Sequence, residues 1–147
     1  MKLCICDDDK ATCEEIHNRI TELYAMDTQA VITYFNSGEA LAERYKAGET
    51  YDIIFLDIEM DKMDGLKVAE LIRKSDKDAI IIFVSSHSHY VFETFRTEAF
   101  HFLLKPIQES EFRDVFNRAL NKYCDAHATL VLKWQYTRIA IEINQME

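Results

Sequence analysis

The sequence predicts an α/β fold: a five-stranded parallel sheet, doubly wound, with strand order 2-1-3-4-5. Three observations lead there. Short apolar runs recur along the chain, and each stops at polar or charged residues. Between them lie stretches whose apolar residues fall at helical spacing. The run Ile53-Ile54-Phe55-Leu56 has no polar alternation, as expected of a strand buried on both faces. Strands alternating with helices build a parallel sheet covered on both sides. Right-handed crossovers restrict the winding. The order 2-1-3-4-5 is common at this size, and its ligand crevice lies at the carboxyl ends of strands 1 and 3.

Each element follows from its residues. Lys2 to Cys6 is an apolar strand that stops at Asp7-Asp8-Asp9. The next helix puts Cys13, Ile16, Ile20, Leu23 and Tyr24 on one face, with Glu14 and Glu15 expected in its first turn. Residues 30–35 form a second strand, and Asn36 or Ser37 caps a short helix that Gly48 closes. The third strand ends in Asp57, and a loop carrying Asp61 follows it. Asp64 opens a helix that buries Val68, Leu71 and Ile72. Residues 79–84 make a strand rich in branched side chains, ending at Ser85-Ser86. A weaker helix covers residues 90–96. A short fifth strand covers 100–104 and ends at Lys105-Pro106. Residues 108–124 are the clearest helix, with Phe112, Val115, Phe116, Ala119, Leu120 and Tyr123 at helical spacing.

Composition narrows the function. The chain has 147 residues, a length that suits one domain. It is 48% hydrophobic and 29% charged, which predicts a globular core. Its net charge is -9, from 17 basic and 26 acidic residues, which argues against a grip on nucleic acid by this chain alone. No apolar run is long enough to span a bilayer, and the N-terminus lacks the pattern of a signal peptide. The expected location is cytoplasmic, with no membrane partner. The four Cys have neither disulfide-framework nor zinc spacing and are expected to be buried or half-buried thiols in a reducing compartment.

The strand ends converge on one chemistry. Strand 1 delivers Asp7, Asp8 and Asp9, strand 3 Asp57, strand 4 Ser85 and strand 5 Lys105. Carboxylates crowded in one crevice raise each other's pKa values, and a hard divalent cation removes the conflict. Magnesium suits such a site, because it takes one or two carboxylates, phosphate oxygens and waters. A hydroxyl and an ammonium on the far side complete a cradle for a phosphoryl group. The chemistry implied is phosphoryl transfer to a carboxylate.

On these residues the chain resembles a response-regulator receiver domain. The similarity covers about residues 1–124. Its pieces are Asp7-Asp8, the run Leu56-Asp57-Ile58-Glu59-Met60 leading to Met63-Asp64-Gly65, Ser85, and Phe102-Leu103-Leu104-Lys105-Pro106. The resemblance implies a flavodoxin-like fold. It implies that Asp57 accepts a phosphoryl group from the phosphohistidine of a sensor histidine kinase. It gives Asp7, Asp8 and Asp57 to magnesium, with the backbone carbonyl of Glu59 as a further ligand. Ser85 and Lys105 would bind phosphoryl oxygens, and Phe102 would be the aromatic switch. Glu59 and His87 would border the approach to Asp57 and tune how long the phosphoryl group survives. The family usually has a cis peptide before the proline matched here by Pro106. Asp61 stands where the family commonly has proline, which predicts a less rigid loop. Switching of the helix 4, strand 5 and helix 5 face is the expected response, and a homodimer formed on phosphorylation is a candidate output.

Plainer readings hold for some residues. Asp9 lies at a helix start and suits an N-cap better than a ligand. His87 and His89 suggest a metal pair but lack further ligands, so solvated or packing roles are expected. Tyr90, Phe92, Phe95, Phe100 and Phe102 read mostly as core, with a partner-docking surface as the alternative.

Residues 125–147 read as a linker and a β-hairpin stub. Leu130, Leu132 and Trp134 alternate with Val131, Lys133 and Gln135, and Ile139, Ile141 and Ile143 with Arg138, Ala140, Glu142 and Asn144. Gln135-Tyr136-Thr137 falls between them. This stretch resembles the opening strands of a LytTR-type DNA-binding domain. That resemblance implies a transcription regulator with an incomplete output domain, binding DNA only through the missing part.

Two other functions compete. A magnesium-dependent phosphohydrolase would use Asp7 as an aspartyl nucleophile, but needs a further acidic pair on a strand after Lys105, where a long helix is expected. A phosphate-independent interaction domain would have no use for the acidic, hydroxyl and lysine set.

Overall fold

The computed structural model describes residues 1–24 and 30–145, with side chains described up to residue 128. Five parallel strands form one sheet in the order β2-β1-β3-β4-β5. They are β1 (Lys2–Cys6), β2 (Val31–Phe35), β3 (Ile53–Asp57), β4 (Ile80–Ser85) and β5 (His101–Leu104). The helices are α1 (Lys10–Leu23), α2 (Gly38–Lys46), α3 (Gly65–Ser75), α4 (Val91–Thr94) and α5 (Glu109–Gln145). Both the fold class and the strand order match the sequence expectation.

The central strands are apolar throughout because both of their faces are covered. Every residue of β3 and β4 is buried. Leu3, Ile5, Phe55, Ile82 and Val84 point to one side, where Ile16 and Ile20 of α1 and Phe112, Val115 and Phe116 of α5 meet them. Phe55 stacks on Phe112 at 5.5 Å between ring centroids, and Phe112 on Phe116 at 5.8 Å. Such a buried aromatic contributes about 3–5 kcal/mol relative to alanine. On the other side, Cys4, Cys6, Ile54, Leu56, Ile81 and Phe83 pack under Leu41 of α2 and under Val68 and Ile72 of α3.

Capping sets where the helices begin. Asp9 caps α1, accepting from the Ala11 backbone N–H at 3.1 Å and from the Thr12 hydroxyl at 2.8 Å. The hydrogen bonds from Thr12, then from the Ala11 backbone, hold its carboxyl below the usual range. Asp9 is therefore a cap, as its position predicts. Because α1 already starts at Lys10, Glu14 and Glu15 lie beyond its first turn, later than expected. Ser37 caps α2 and Asp64 caps α3 through their side chains.

Three expectations need correction. The β-hairpin expected within residues 125–147 does not form: α5 runs as one helix from Glu109 to Gln145, and residues 146 and 147 lie outside the described residues. This helix runs on through residue 124 without a break. A nucleated helix extends at little cost per residue, whereas a lone hairpin is marginal in water. Gln135-Tyr136-Thr137 also offers no glycine, asparagine or proline for a tight hairpin turn. The second correction concerns Phe92 and Phe95, which are 81% and 70% exposed rather than core. The α4 helix has only four residues between two 3₁₀ turns, too short to bury an aromatic face. Finally, Cys124 is exposed, unlike Cys4, Cys6 and Cys13.

Candidate functional site

Strand register brings the chemistry to one edge of the sheet. Cys6 is level with Leu56, Asp57 with Val84, and Ser85 with Leu104. The residues at or just past these positions are Asp7, Asp57, Ser85 and Lys105, so they emerge together at the carboxyl ends of four strands. The Lys105 backbone N–H donates to the Ser85 carbonyl at 2.8 Å, holding the two strand ends side by side. The Lys105-Pro106 peptide is cis, as expected.

Three carboxylates and one ammonium form the centre. Asp7 and Asp57 are buried, 2% and 5% exposed, while Asp8 faces solvent. Each of the three places one carboxylate oxygen so that these atoms lie within 4.8 Å of one another. Lys105 Nζ donates to Asp7 Oδ2 at 3.0 Å and lies 3.8 Å from Asp57 Oδ1. Asp7 Oδ1 accepts from the Asp9 backbone N–H at 2.8 Å.

The charges act on one another. Burial, reinforced by the Asp7 charge, pushes the Asp57 carboxyl up to about 7; Lys105 opposes that rise. The nearby Glu59 backbone N–H, the smallest of these influences, favours its charged form. Burial and the charges of Asp7 and Asp61 raise Asp8. Burial works against the Lys105 ammonium, but the Asp7 hydrogen bond and the nearby carboxylates outweigh it and hold its pKa above the ordinary value. One lysine cannot balance three carboxylates. The donor set therefore fits a hard divalent cation with oxygen ligands.

The loop after Asp57 is folded tightly against it. Gly65 N–H donates to the Ile58 carbonyl at 2.9 Å. A Cβ at Gly65 would stand 2.0 Å from the Asp57 carbonyl oxygen, so only glycine fits. Lys62 has φ 65°, a left-handed turn residue, and Met63 N–H closes back on the Asp61 carbonyl at 2.8 Å.

On the other side of the crevice, Ser85 is fully buried and its hydroxyl oxygen accepts from the His87 backbone N–H at 3.1 Å. His87 Nε2 meets Glu59 Oε1 at 3.1 Å, linking the loop after β3 to the segment after β4. Burial, then the Glu59 charge, raises the Tyr90 phenol above its ordinary value. His89 packs on Tyr90, with ring centroids 4.2 Å apart. Among the described residues, only Asp7, Asp8 and Asp57 form a metal-holding group, so the histidines have packing and pairing roles. Phe102 is half-buried against the α2 and α3 side of the core.

The structure thus brings Asp7, Asp8, Asp57 and Lys105 into contact distance and places Ser85, Glu59 and His87 around them. One buried charged residue away from this machinery carried no sequence signal. Arg73 is 8% exposed, and its guanidinium donates to the carbonyls of Thr97 at 2.7 Å, Glu98 at 2.9 Å and Asp76 at 3.2 Å. It fastens the far end of the α4 segment to α3.

Comparison with known proteins agrees with this architecture. The profile of the response regulator receiver domain matches residues 3–117. The chain therefore belongs to the receiver family of two-component response regulators, a class of signalling domains. It is 32% identical over 120 residues to the sensory transduction protein LytT of Oceanobacillus iheyensis, covering 79% of this chain and 46% of that protein. It is 27% identical over 127 residues to LytR of Staphylococcus haemolyticus, covering 86% and 48%. The chain spans about half the length of the curated relatives it matches. Among solved structures it is similar to the response regulatory domain of mrkE from Klebsiella pneumoniae, at 26% identity and a TM-score of 0.73, covering 85% of this chain and 99% of that one. It is also similar to TrrA from Thermotoga maritima in complex with Mg(2+)-BeF, at 27% identity and a TM-score of 0.67, covering 80% and 97%.

The competing phosphohydrolase is not favoured. After Lys105 the described chain goes into α5, and no strand follows to carry the second acidic pair. No described helix is long and apolar enough to cross a membrane.

Proposed function

We propose that this chain is a phosphorylation-controlled switch in which Asp57 is the phosphoacceptor. The observation that carries the reading is the meeting of Asp7, Asp8, Asp57 and Lys105 at the strand ends. Transfer forms a bond from an Asp57 carboxylate oxygen to phosphorus, while the bond from phosphorus to the imidazole of a sensor histidine kinase breaks and its electron pair returns to the ring. Asp7, Asp8, Asp57 and the Glu59 carbonyl would hold magnesium. The cation would neutralise carboxylate and phosphoryl charge when bound. Lys105 would leave Asp7 to meet a phosphoryl oxygen, with the Ser85 hydroxyl donating to another. Glu59 and His87, both about half exposed, border the approach and would tune the lifetime of the phosphorylated state.

The output reading rests on the relatives. LytR and LytT are sensory transduction proteins by name, and NatR of Bacillus subtilis is a transcriptional regulatory protein, 28% identical over 122 residues. We infer a LytTR-type transcription regulator. Phosphorylation would act through Ser85 and Phe102 on α4, β5 and α5, where exposed Phe92, Phe95 and Leu104 offer a dimerisation face. DNA would be met by an output domain rather than by this acidic chain. The expected setting is the cytoplasm, where the kinase domains of sensors act.

The test is incubation with acetyl phosphate and magnesium, followed by intact mass measurement. Wild type should gain one phosphoryl group and Asp57→Asn none. Equal labelling of the two would remove Asp57 from its role.

A further inference from the structure

We propose that Met60 is an oxidation site: a peroxide converts its thioether to the sulfoxide, which displaces the loop after Asp57 and slows phosphorylation of the chain. This inference rests on the phosphoacceptor role of Asp57. Met60 follows Glu59 in that loop and is half-buried against the α2 and α3 side of the core. Its Sδ stands 3.8 Å from Cys6 Sγ, and the Cys6 thiol also reaches the Ser37 carbonyl at 3.4 Å. Cys6 ends β1 directly before Asp7, and Ser37 caps α2. The loop after β3, the end of β1 and the start of α2 therefore meet at one pair of sulfur atoms.

The thioether is the soft nucleophile available there. Peroxides react with thiolates and thioethers rather than with thiols. Burial, then the Asp7 charge, raises the Cys6 thiol far above its ordinary value, and the same two causes push Cys13 up to about 11. Both stay protonated at neutral pH. A thioether has no proton to hold, so its lone pairs are free at any pH. In the step, the Met60 sulfur attacks one oxygen of hydrogen peroxide and the O–O bond breaks. The sulfur is oxidised by two electrons and the peroxide is reduced. The leaving hydroxide takes the proton from the transferred oxygen and departs as water.

The product does not fit the space that the thioether fills. A sulfoxide is polar where the thioether was apolar, and its oxygen needs both room and a donor. The Cys6 thiol is a donor within reach, and turning to the sulfoxide takes it from the Ser37 carbonyl. The loop has no slack to absorb the change. A Cβ at Gly38 would stand 2.6 Å from the Met63 carbonyl oxygen, and one at Gly65 2.0 Å from the Asp57 carbonyl oxygen. Backbone lies against backbone on both sides, so the loop yields as a body. Glu59 moves with it, together with the carbonyl offered to magnesium.

Peroxide treatment of the intact chain tests the proposal. Hydrogen peroxide is applied without magnesium. Dithiothreitol then returns sulfenic acids and disulfides to thiols but leaves sulfoxides. Trypsin cuts after Lys62, so Met60 and Met63 fall in separate peptides and mass measurement tells them apart. Met60 should carry the added oxygen. The treated chain should be labelled by acetyl phosphate about fivefold more slowly, and its urea midpoint without magnesium should fall. Methionine sulfoxide reductase should restore both. Met60→Leu keeps the volume and removes the reactive sulfur. Its labelling rate should be the same before and after peroxide, whereas Met63→Leu should stay sensitive. A Met60 sulfoxide with unchanged rate and midpoint overturns the proposal. So does an intact Met60 under peroxide that oxidises Met63, or an equal loss of rate in Met60→Leu. An untreated chain that takes up no phosphoryl group overturns the phosphoacceptor reading itself, a distinct result, and the urea midpoint still reports on the loop.

Discussion

Lys105 Nζ stands 3.0 Å from Asp7 Oδ2 and 3.8 Å from Asp57 Oδ1. Its nearer partner is thus the acid of β1 rather than the phosphoacceptor. Asp7 is almost fully buried, so removing the lysine strands a buried charge, which is costlier than losing an exposed pair. Lys105→Ala is expected to destabilise the magnesium-free protein by about 2–3 kcal/mol. A divalent cation should recover most of that loss, since it supplies the missing positive charge. Urea unfolding with and without magnesium checks this. A deficit of the same size in both conditions would show that the lysine acts by packing alone.

Asp57 gives a pH dependence of definite sign. Burial and the Asp7 charge push its carboxyl up to about 7, above the value near 3.9 of an unfolded chain. The folded protein therefore holds this proton to higher pH than the unfolded chain does. The associated stability is fully present below about pH 4 and is lost as pH rises through 7. Asp57→Asn has no proton to lose. Without magnesium it should be about as stable as wild type near pH 4, and more stable by about 2–4 kcal/mol at pH 8. Unfolding free energies measured across that range decide the matter. A gap that does not widen with pH would mean that Lys105 already neutralises the site.

Much of this was legible from residue order because the fold itself converts order into place. Once β1, β3, β4 and β5 were recognised as parallel strands, the residues following Cys6, Leu56, Val84 and Leu104 had to share one edge. Asp9 was legible as a cap because capping is local. The C-terminal segment was not, because alternating apolar residues are compatible with either structure and the helix upstream decided between them. Arg73 was invisible for another reason. Its partners, the carbonyls of Thr97 and Glu98, are brought to it by tertiary packing, which no spacing rule encodes.

Gly65 offers a steric test of how tightly the loop after Asp57 must close. Its missing Cβ leaves space occupied by the Asp57 carbonyl, and an alanine Cβ would stand 2.0 Å from that oxygen. The obstacle is backbone, which cannot rotate away as a side-chain tip could. Gly65→Ala should therefore shift the loop that carries Glu59 and destabilise the fold by about 1–3 kcal/mol. It should also slow phosphorylation by acetyl phosphate, because Asp57 moves with its own carbonyl. Chemical unfolding and the labelling rate are the two readouts. A variant with wild-type values in both would mean the loop relaxes without disturbing Asp57.

The last prediction concerns how far a phosphoryl signal travels along α4. The segment from Ser88 to Thr97 is one short helix between two 3₁₀ turns, with Phe92 and Phe95 exposed. Few buried contacts hold it, so it suits a part that moves. Its two ends differ. The near end hangs on Ser85 and on the exposed bridge between His87 and Glu59. The far end is fastened by the buried Arg73 guanidinium to the carbonyls of Thr97 and Glu98. Thr94 and Thr97 are buried there as well, each donating its hydroxyl to a carbonyl three residues back at 2.6 Å. Movement begun at Ser85 should thus pivot about Thr97. With beryllofluoride, a phosphoryl mimic, amide shifts should be large over residues 86–95 and at Phe102, and small at Thr97 and Glu98. Arg73→Lys keeps the charge but cannot reach three carbonyls as a planar guanidinium does. In that variant the shifts should spread through Thr97 and Glu98 to β5. Large shifts at Thr97 in wild type, or an unchanged pattern in Arg73→Lys, would show that Arg73 is not the pivot.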